Sequence, residues 1–158
     1  MSFIKINDRY VNLENVANIV FLEDKVVFNF NYAVSLKMPP KKLISDYIYT
    51  SDVDESSLDN NDFIIENFIK IDNGSVYYVN KKCISSFKKD SRNLKLIFNF
   101  NHSVSVDTPN VESSSEFLYI KYVDLNTLNN AYRRIVSDLE GYNDWKRNKR
   151  QRTEKRNS

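Results

Sequence analysis

One nine-residue motif occurs twice in the chain, and it constrains the fold more than any other feature. Residues 28–36 read FNFNYAVSL, and residues 98–106 read FNFNHSVSV. Shorter matches precede the motif in the same order: FIKI at 3–6 and 68–71, YVN at 10–12 and 78–80, and Val16 and Ile19 opposite Ile84 and Phe87. Ordered matches with short insertions between them are typical of a duplicated unit; chance resemblance in a chain rich in Asn, Ile, Phe and Tyr is the alternative. We therefore predict a tandem repeat.

Length and composition predict one domain, or two small fused ones, with a real core. The chain has 158 residues, 41% of them hydrophobic, with ten Phe and ten Tyr. No apolar run approaches membrane-spanning length, and the first residues, MSFIKINDRY, show no secretory signal. The single cysteine, Cys83, cannot form an internal disulfide, which fits a reducing compartment. We expect an intracellular protein, cytoplasmic or, in a eukaryote or virus, nuclear, without a membrane partner.

The formal net charge of +2 conceals two oppositely charged segments. Residues 145–158, WKRNKRQRTEKRNS, hold seven Lys or Arg and one acid, Glu154, whereas the other 144 residues hold 16 basic and 20 acidic groups. Between Leu43 and Ile69 there are seven acidic residues and no Lys or Arg. An acidic middle and a basic tail are therefore the main electrostatic features of the chain.

Hairpins and alternating strands are predicted in both repeats. FIKI and SVYYV flank Asp72-Asn73-Gly74, a strong hairpin signal because Asn and Gly tolerate positive φ, and Asn7-Asp8 takes the same place in the first repeat. A third strand follows as ANIVFLED or ISSFKKD, and then VVFNFN and LKLIFNFN alternate apolar and polar residues. The alternation predicts inward Phe28, Phe30, Phe98 and Phe100, and outward Asn29 and Asn99.

Turns and helices complete the prediction. Asn31-Tyr32 and Asn101-His102 are expected to be tight turns, followed by the returning strands AVSL and SVSV. Pro39-Pro40 is expected to open a helix that KKLISDYIY continues, and EFLYIKYV to form one more strand. Asp124 is expected to cap an amphipathic helix from about Leu125 to Trp145, with Gly141 ending or bending it.

The resulting prediction is an α+β fold: a tandem repeat of two antiparallel strand-rich units of about four to five strands, each followed by a helix. Residues 1–50 form the first unit and 51–62 a solvated acidic linker. Residues 63–142 form the second unit with a longer C-terminal helix, and 143–158 form a disordered basic tail. Duplicated units commonly pair about a pseudo-twofold axis.

Residues that could support catalysis or metal binding are few. The single histidine, His102, falls in a predicted turn where the first repeat has Tyr32, so we expect a structural or exposed side chain rather than a general base. Lys81-Lys82 could lower the pKa of the Cys83 thiol, but a buried strand cysteine is the favoured interpretation. Two glycines cannot form a phosphate loop, and the acidic segment lacks the glycine of a calcium loop. We expect no enzyme activity, metal, cofactor or small-molecule substrate.

Binding is the remaining class of function. A nucleic-acid interface is predicted to use cations of the tail, which would neutralise phosphates: Lys146, Arg147, Lys149, Arg150, Arg152, Lys155 and Arg156. Aromatic side chains of the sheets supply candidate base-stacking groups: Tyr32, Tyr77 and Tyr119. The alternative is a protein-interaction or assembly module that forms homo-oligomers, in which these aromatic residues are core and the tail serves solubility or localisation.

Two families resemble parts of this pattern. A tandem of four-stranded units, each followed by a helix, resembles Whirly-type single-stranded-DNA-binding proteins over nearly the whole chain, although the KGKAAL-like signature is absent from the sequence. The order FIKINDRYVNLENVANI, then VVFNFNYAVSL, is similar to the end of LytTR DNA-binding domains, with Val11-Asn12-Leu13 matching their VNL segment. The His-Arg-Ser triplet of that family is missing, and Asn31-Tyr32 replaces its Asn-Gly turn, so no base-contacting residue is carried over. Both resemblances imply DNA binding.

Overall fold

The computed structural model describes residues 2–6, 8–35, 43–100 and 117–156. Two 3₁₀ turns, at Leu13–Asn15 and Lys81–Cys83, accompany ten strands and three helices in this part of the chain. The elements are β1 (Phe3–Ile6), β2 (Arg9–Asn12), β3 (Val16–Phe21), β4 (Val26–Ser35), β5 (Leu43–Thr50), α1 (Glu55–Asp59), α2 (Asp62–Asn67), β6 (Phe68–Asp72), β7 (Val76–Asn80), β8 (Ile84–Asp90), β9 (Lys95–Phe100), β10 (Phe117–Lys121) and α3 (Leu125–Arg156).

The described strands form three antiparallel sheets, which confirms the α+β class. Strands β1 and β2 form a hairpin, β5-β4-β3-β7-β6 a five-stranded sheet, and β10-β9-β8 a three-stranded sheet. Both predicted hairpins are present, and Gly74 has the positive φ of +106° that the second turn needs. Because β7 pairs with β3, the second hairpin completes a sheet begun by the first half of the chain.

Two hydrophobic clusters lie on the two sides of the five-stranded sheet. The first contains Ile19 and Phe28 with Leu58 of α1 and Ile64 of α2. The second contains residues of β6, β7 and the three-stranded sheet together with α3: Ile69, Ile71, Val79, Leu96, Phe98, Leu118, Ile120, Leu128 and Ile135. The hairpin β6–β7 contributes to both clusters, since Phe68 and Tyr78 belong to the first. It is the element that joins the two halves.

The predicted helix after Pro39-Pro40 is wrong where the structure describes it. Residues 43–50 form β5, which pairs with β4 from Leu43 opposite Ser35 to Thr50 opposite Val26. The segment LISDYIYT is rich in β-branched and aromatic residues, and pairing along an existing strand decides between helix and strand for such a sequence. Helical spacing of three apolar residues was too weak a signal.

The predicted turn at Asn31-Tyr32 is also wrong. Strand β4 continues for ten residues through this point, and the chain returns as β5 instead. A shift in the β4–β5 register between Asn29 and Ala33 accommodates the polar stretch as an irregularity within the ladder. The matching turn at Asn101-His102 lies outside the described residues.

The acidic segment 51–62 is folded rather than a solvated linker. Asp54 caps α1 by accepting the Ser57 N–H at 2.8 Å, and Asn61 caps α2 by accepting the Ile64 N–H at 3.1 Å. Val53 and Leu58 are buried in the first cluster. The prediction of a linker rested on the acidic residues. Val53 and Leu58, which lie among them, fold the segment onto the first cluster.

The C-terminal helix begins as predicted and ends later. Asp124 accepts the Thr127 N–H at 2.7 Å, which is the expected N-terminal cap, and Leu128 and Ile135 are buried. The helix passes Gly141 and continues to Arg156, so the predicted disorder of residues 143–158 is not confirmed. The segment WKRNKRQRTEKR contains no Gly or Pro and is rich in Lys and Arg, which favour helix.

The predicted orientation of the phenylalanines is confirmed, and that of Asn29 is wrong. Phe28 and Phe98 are buried, but Asn29 is also only 3% exposed. Its Nδ2 donates to Oδ1 of Asn18 at 2.8 Å, which pairs the two buried amides with each other. The five-stranded sheet is covered on both faces, which alternation within one strand cannot reveal.

The two halves have matching strand pairs. The first hairpin pairs Phe3 with Asn12, Ile4 with Val11 and Lys5 with Tyr10. The second pairs Phe68 with Asn80, Ile69 with Val79 and Lys70 with Tyr78. The next two strands pair Ile19 with Phe28 in one half and Phe87 with Phe98 in the other. Strands β1–β4 and β6–β9 therefore agree in order and in register within each pair. The two sets of strands belong to different sheets, since β6 and β7 join the sheet of β3 and β4.

Candidate nucleic-acid interface

The three-stranded sheet has one face against α3 and one face turned away from it. Successive side chains of a strand alternate between faces, and Leu96 and Phe98 of β9 lie in the second cluster. The register places the alternate residues in three cross-strand rows on the other side. We call this side the outer face; its rows are Ser86–Asn99–Phe117, Lys88–Ile97–Tyr119 and Asp90–Lys95–Lys121.

Two aromatic rings stack on the outer face. The ring centroids of Phe117 and Tyr119 are 4.7 Å apart with 23° between the ring planes. Phe117 is buried and supports Tyr119, whose half-buried ring has Nζ of Lys95 at 4.8 Å from its centroid. A supported tyrosine beside a lysine is suited to stack a planar group and to bind an adjoining anion.

The formal charges on the outer face are mainly positive. Lys88, Lys95 and Lys121 lie there with one carboxylate, Asp90. Asp90 accepts hydrogen bonds from Nδ2 and from the backbone N–H of Asn93, at 2.9 and 3.1 Å. Those bonds lower the pKa of Asp90, with a smaller contribution from the charge of Lys95, so the carboxylate is ionised. The residues of these rows therefore carry more positive than negative charge, whereas the chain before residue 145 has more acidic than basic groups.

The inner face of the same sheet is fixed to α3. Phe87 stacks on Phe98, with centroids 4.7 Å apart, and on Tyr132 of α3 at 5.4 Å. Nζ of Lys89 donates to Oδ1 of Asn129 at 2.8 Å and lies 5.0 Å from the Tyr132 ring. The helix that carries the basic C-terminal residues is thus held by the sheet that carries the outer face.

The predicted site residues do not lie together in the described part of the structure. Tyr119 lies on the outer face, whereas Tyr77 is half-buried against the second cluster and packs there. Tyr32 and the seven C-terminal cations have described backbone only, in β4 and in α3 respectively. Sequence reasoning missed Phe117 and the three lysines, although alternation within KLIFNF and FLYIK was a usable signal.

Cys83 and His102 are the two residues whose side chains were weighed as reactive groups. Cys83 is buried, with Sγ 3.8 Å from the Val16 carbonyl oxygen, and burial raises the pKa of its thiol to about 11. His102 lies outside the described residues. Within the described ranges, no three His, Cys, Asp or Glu side chains are grouped to hold a metal ion.

A groove lies between the β6–β7 turn and the start of α3. Its volume is about 450 Å³, and its lining includes Asn73, Tyr122 and Arg134. Two of these side chains already hold the walls together: Nδ2 of Asn73 donates to the Lys121 carbonyl at 2.7 Å, and Arg134 donates to the Lys70 carbonyl at 2.8 Å. These hydrogen bonds connect the β6–β7 hairpin to β10 and α3, so the two side chains stabilise the fold.

Of the helices in the described part of the chain, none combines the length and apolarity needed to cross a bilayer. Comparison of the chain with protein-family models, with curated proteins and with solved structures finds no match. The resemblances to Whirly-type proteins and to LytTR domains therefore stay predictions.

Proposed function

We propose that the protein is a non-enzymatic nucleic-acid-binding protein that prefers single strands. The observation that carries the proposal is the outer face, where the stacked pair Phe117–Tyr119 lies among three lysines. Single strands expose the π-faces of their bases, and proteins bind them with aromatic rings in positively charged surroundings. A duplex hides those faces within its own stack, so Tyr119 has less to bind there.

The basic end of α3 supports the proposal by its charge density. Seven cations lie within residues 146–156, and the backbone of that segment is helical. Eleven helical residues span about 15 Å, so the helix concentrates positive charge that an extended chain would spread over twice the length. Neutralised phosphates release counterions, which makes such binding strongly dependent on salt. We assign phosphate binding to this segment and base stacking to Tyr119.

Little sequence preference follows from this division of roles. Phosphate contacts position a strand without reading it, and stacking on one tyrosine tolerates every base. We therefore expect binding to vary little with base sequence.

We also propose that the two halves arose by duplication of one unit. The matched strand pairs and the two Asn-capped 3₁₀ turns support it: Asn12 accepts the Glu14 N–H, and Asn80 accepts the Lys82 N–H. A duplicated unit explains why β3 and β8 occupy the same place in the order of strands.

Self-assembly is the second candidate, and one observation favours it. Strand β7 covers one edge of β3, whereas the matching edge of β8 has no paired strand among the described residues. The residues weigh against copies joining there, because Lys88 takes the place of Val20 and Arg9 takes the place of Tyr77. If β2 of a second copy paired with β8 as β7 pairs with β3, Arg9 of that copy would lie opposite Lys88. Like charges in that position are destabilising, and charged edge strands generally resist pairing.

A fluorescence-anisotropy titration tests the proposal. Full-length protein is titrated into labelled single- and double-stranded oligonucleotides at two salt concentrations, beside a variant with the seven C-terminal cations replaced by Gln. Glutamine keeps helix propensity, so charge is the main change. We expect tighter binding to the single strand, weaker binding at higher salt, and a shallower salt dependence in the variant. No binding by full-length protein at low salt would reject the proposal and leave the assembly module.

A further inference from the structure

The two hairpins carry the same three types of side chain on one face, but the surroundings of these faces differ. Phe68, Lys70 and Tyr78 of β6–β7 correspond in register to Phe3, Lys5 and Tyr10 of β1–β2. In both hairpins the lysine lies over the tyrosine ring, with Nζ 5.7 Å from the centroid in one and 6.0 Å in the other. The local geometry of the two faces is therefore the same.

The face of β6–β7 is covered by the acidic segment of α1 and α2. Nζ of Lys70 lies 2.9 Å from Oε2 of Glu55 and 2.9 Å from Oδ2 of Asp59. The Tyr78 hydroxyl donates to Oδ1 of Asp59 at 2.7 Å. Leu58, between the two carboxylates, is buried in the cluster that also holds Phe68 and Tyr78.

This arrangement defines what such a face binds. Glu55 and Asp59 are four residues apart, so one helical turn places both carboxylates on the same side. An apolar residue, Leu58, adjoins them and enters the cluster. The Phe–Lys–Tyr face thus receives a helical turn with two acids at i and i+4 and a leucine at i+3.

Among the described residues, no comparable segment covers the face of β1–β2. Phe3 is 51% exposed and Tyr10 69% exposed, whereas Phe68 and Tyr78 are 5% and 1% exposed. In the described part of the chain, Lys5 forms no ion pair. Two large aromatic rings exposed on one small face are typical of an interaction site.

We propose that the face of β1–β2 that carries Phe3, Lys5 and Tyr10 binds an acidic helical segment of a partner protein, with carboxylates at i and i+4 and a leucine at i+3. Lys5 pairs with the two carboxylates, Tyr10 donates to one of them, and Phe3 and Tyr10 cover the leucine. The β6–β7 contacts in this chain supply the geometry, and the positive charge of Lys5 supplies the complementarity. The inference is independent of nucleic-acid binding.

An NMR titration of the full chain with a synthetic peptide tests the inference. The peptide has the sequence of residues 52–67, DVDESSLDNNDFIIEN, which contains both helices and the Glu55–Leu58–Asp59 pattern. We expect saturable amide shifts at Phe3, Lys5 and Tyr10. A control peptide with Glu55→Gln and Asp59→Asn should bind at least tenfold more weakly.

Matched protein variants separate this site from general charge attraction. Lys5→Glu should weaken peptide binding at least tenfold. Lys25→Glu makes the same charge reversal in a similar pair, since Nζ of Lys25 lies 4.4 Å from the ring of exposed Tyr49, and it should leave binding unchanged. Absence of shifts at the first hairpin, shifts confined to Lys70 and Tyr78, or equal loss in both variants would overturn the inference. So would an oligonucleotide that shifts the first hairpin when the peptide does not.

Discussion

Replacing Asn80 with Ala tests how the two halves are joined. This side chain is fully buried, and its Nδ2 donates to the Val16 carbonyl at 2.9 Å and, more weakly, to the Leu13 carbonyl at 3.4 Å. Its Oδ1 also accepts the Lys82 N–H at 3.0 Å, which starts the second 3₁₀ turn. One amide therefore connects the end of β7 to the start of β3.

The matching residue of the first half is the control. Asn12 accepts the Glu14 N–H at 3.1 Å in an exposed position and has the same capping role. Loss of a cap costs about 1 kcal/mol, so Asn12→Ala should lower the free energy of unfolding by about that amount. Asn80→Ala should lose the cap and also leave buried carbonyls with fewer donors, which adds about 1–3 kcal/mol.

Urea unfolding monitored by circular dichroism measures both values, with the slope m checked for a change in the unfolded state. The expected loss is about 2–4 kcal/mol for Asn80→Ala against about 1 kcal/mol for Asn12→Ala. Asn80→Ser retains a capping oxygen without the two amide donors, and its stability should lie between wild type and Asn80→Ala. Equal destabilisation by Asn12→Ala and Asn80→Ala would refute the cross-half role of this amide.

Two further predictions concern ionisable groups. Hydrogen bonds from Lys70 and Tyr78 lower the pKa of Asp59 from 3.8, so its contribution to stability is present above about pH 4 and is lost as the pH falls through the lower folded-state value. In pH-dependent unfolding, Asp59→Asn should therefore lose less stability than wild type between about pH 4 and pH 2; equal acid sensitivity would contradict this. Because burial raises the pKa of Cys83 to about 11, a thiol reagent at pH 8 should react with it only on unfolding, and rapid labelling of the native protein would contradict its burial.

Local signals in the sequence were enough for the hairpins and the last helix. Asn73-Gly74 fixes a turn by its own backbone preference, and Asp124 caps α3 through a bond to a residue three positions on. Strands β4 and β9 were predicted from alternation, and β3, β8 and β10 from the segments ANIVFLED, ISSFKKD and EFLYIKYV, although β4 extends past its predicted end. These features depend on residues close together in the chain, so the sequence carries them directly.

The wrong expectations depended on distant pairing. Residues 43–50 form a strand because they pair with β4. Asn29 can be buried because Oδ1 of Asn18 on β3 accepts a hydrogen bond from its side-chain amide. The candidate site has the same character: Tyr119 was predicted, but its neighbours Lys95 and Phe117 are brought beside it by the β9–β10 register and by the face they share. No pattern within one segment identifies which strands will be adjacent.

The most direct measurement of the proposed function is the affinity of Tyr119→Ala for a single-stranded oligonucleotide, beside Tyr49→Ala. The two tyrosines are matched, since Nζ of a lysine lies 4.8 Å from the first ring and 4.4 Å from the second, but Tyr49 lies on the five-stranded sheet. Loss of one stacked base costs about 1–3 kcal/mol, or roughly 5- to 150-fold in Kd. We expect that loss for Tyr119→Ala with unchanged unfolding midpoint, and no more than about a twofold change in Kd, under 1 kcal/mol, for Tyr49→Ala. Equal affinities for wild type and Tyr119→Ala would contradict a role of the outer face in binding.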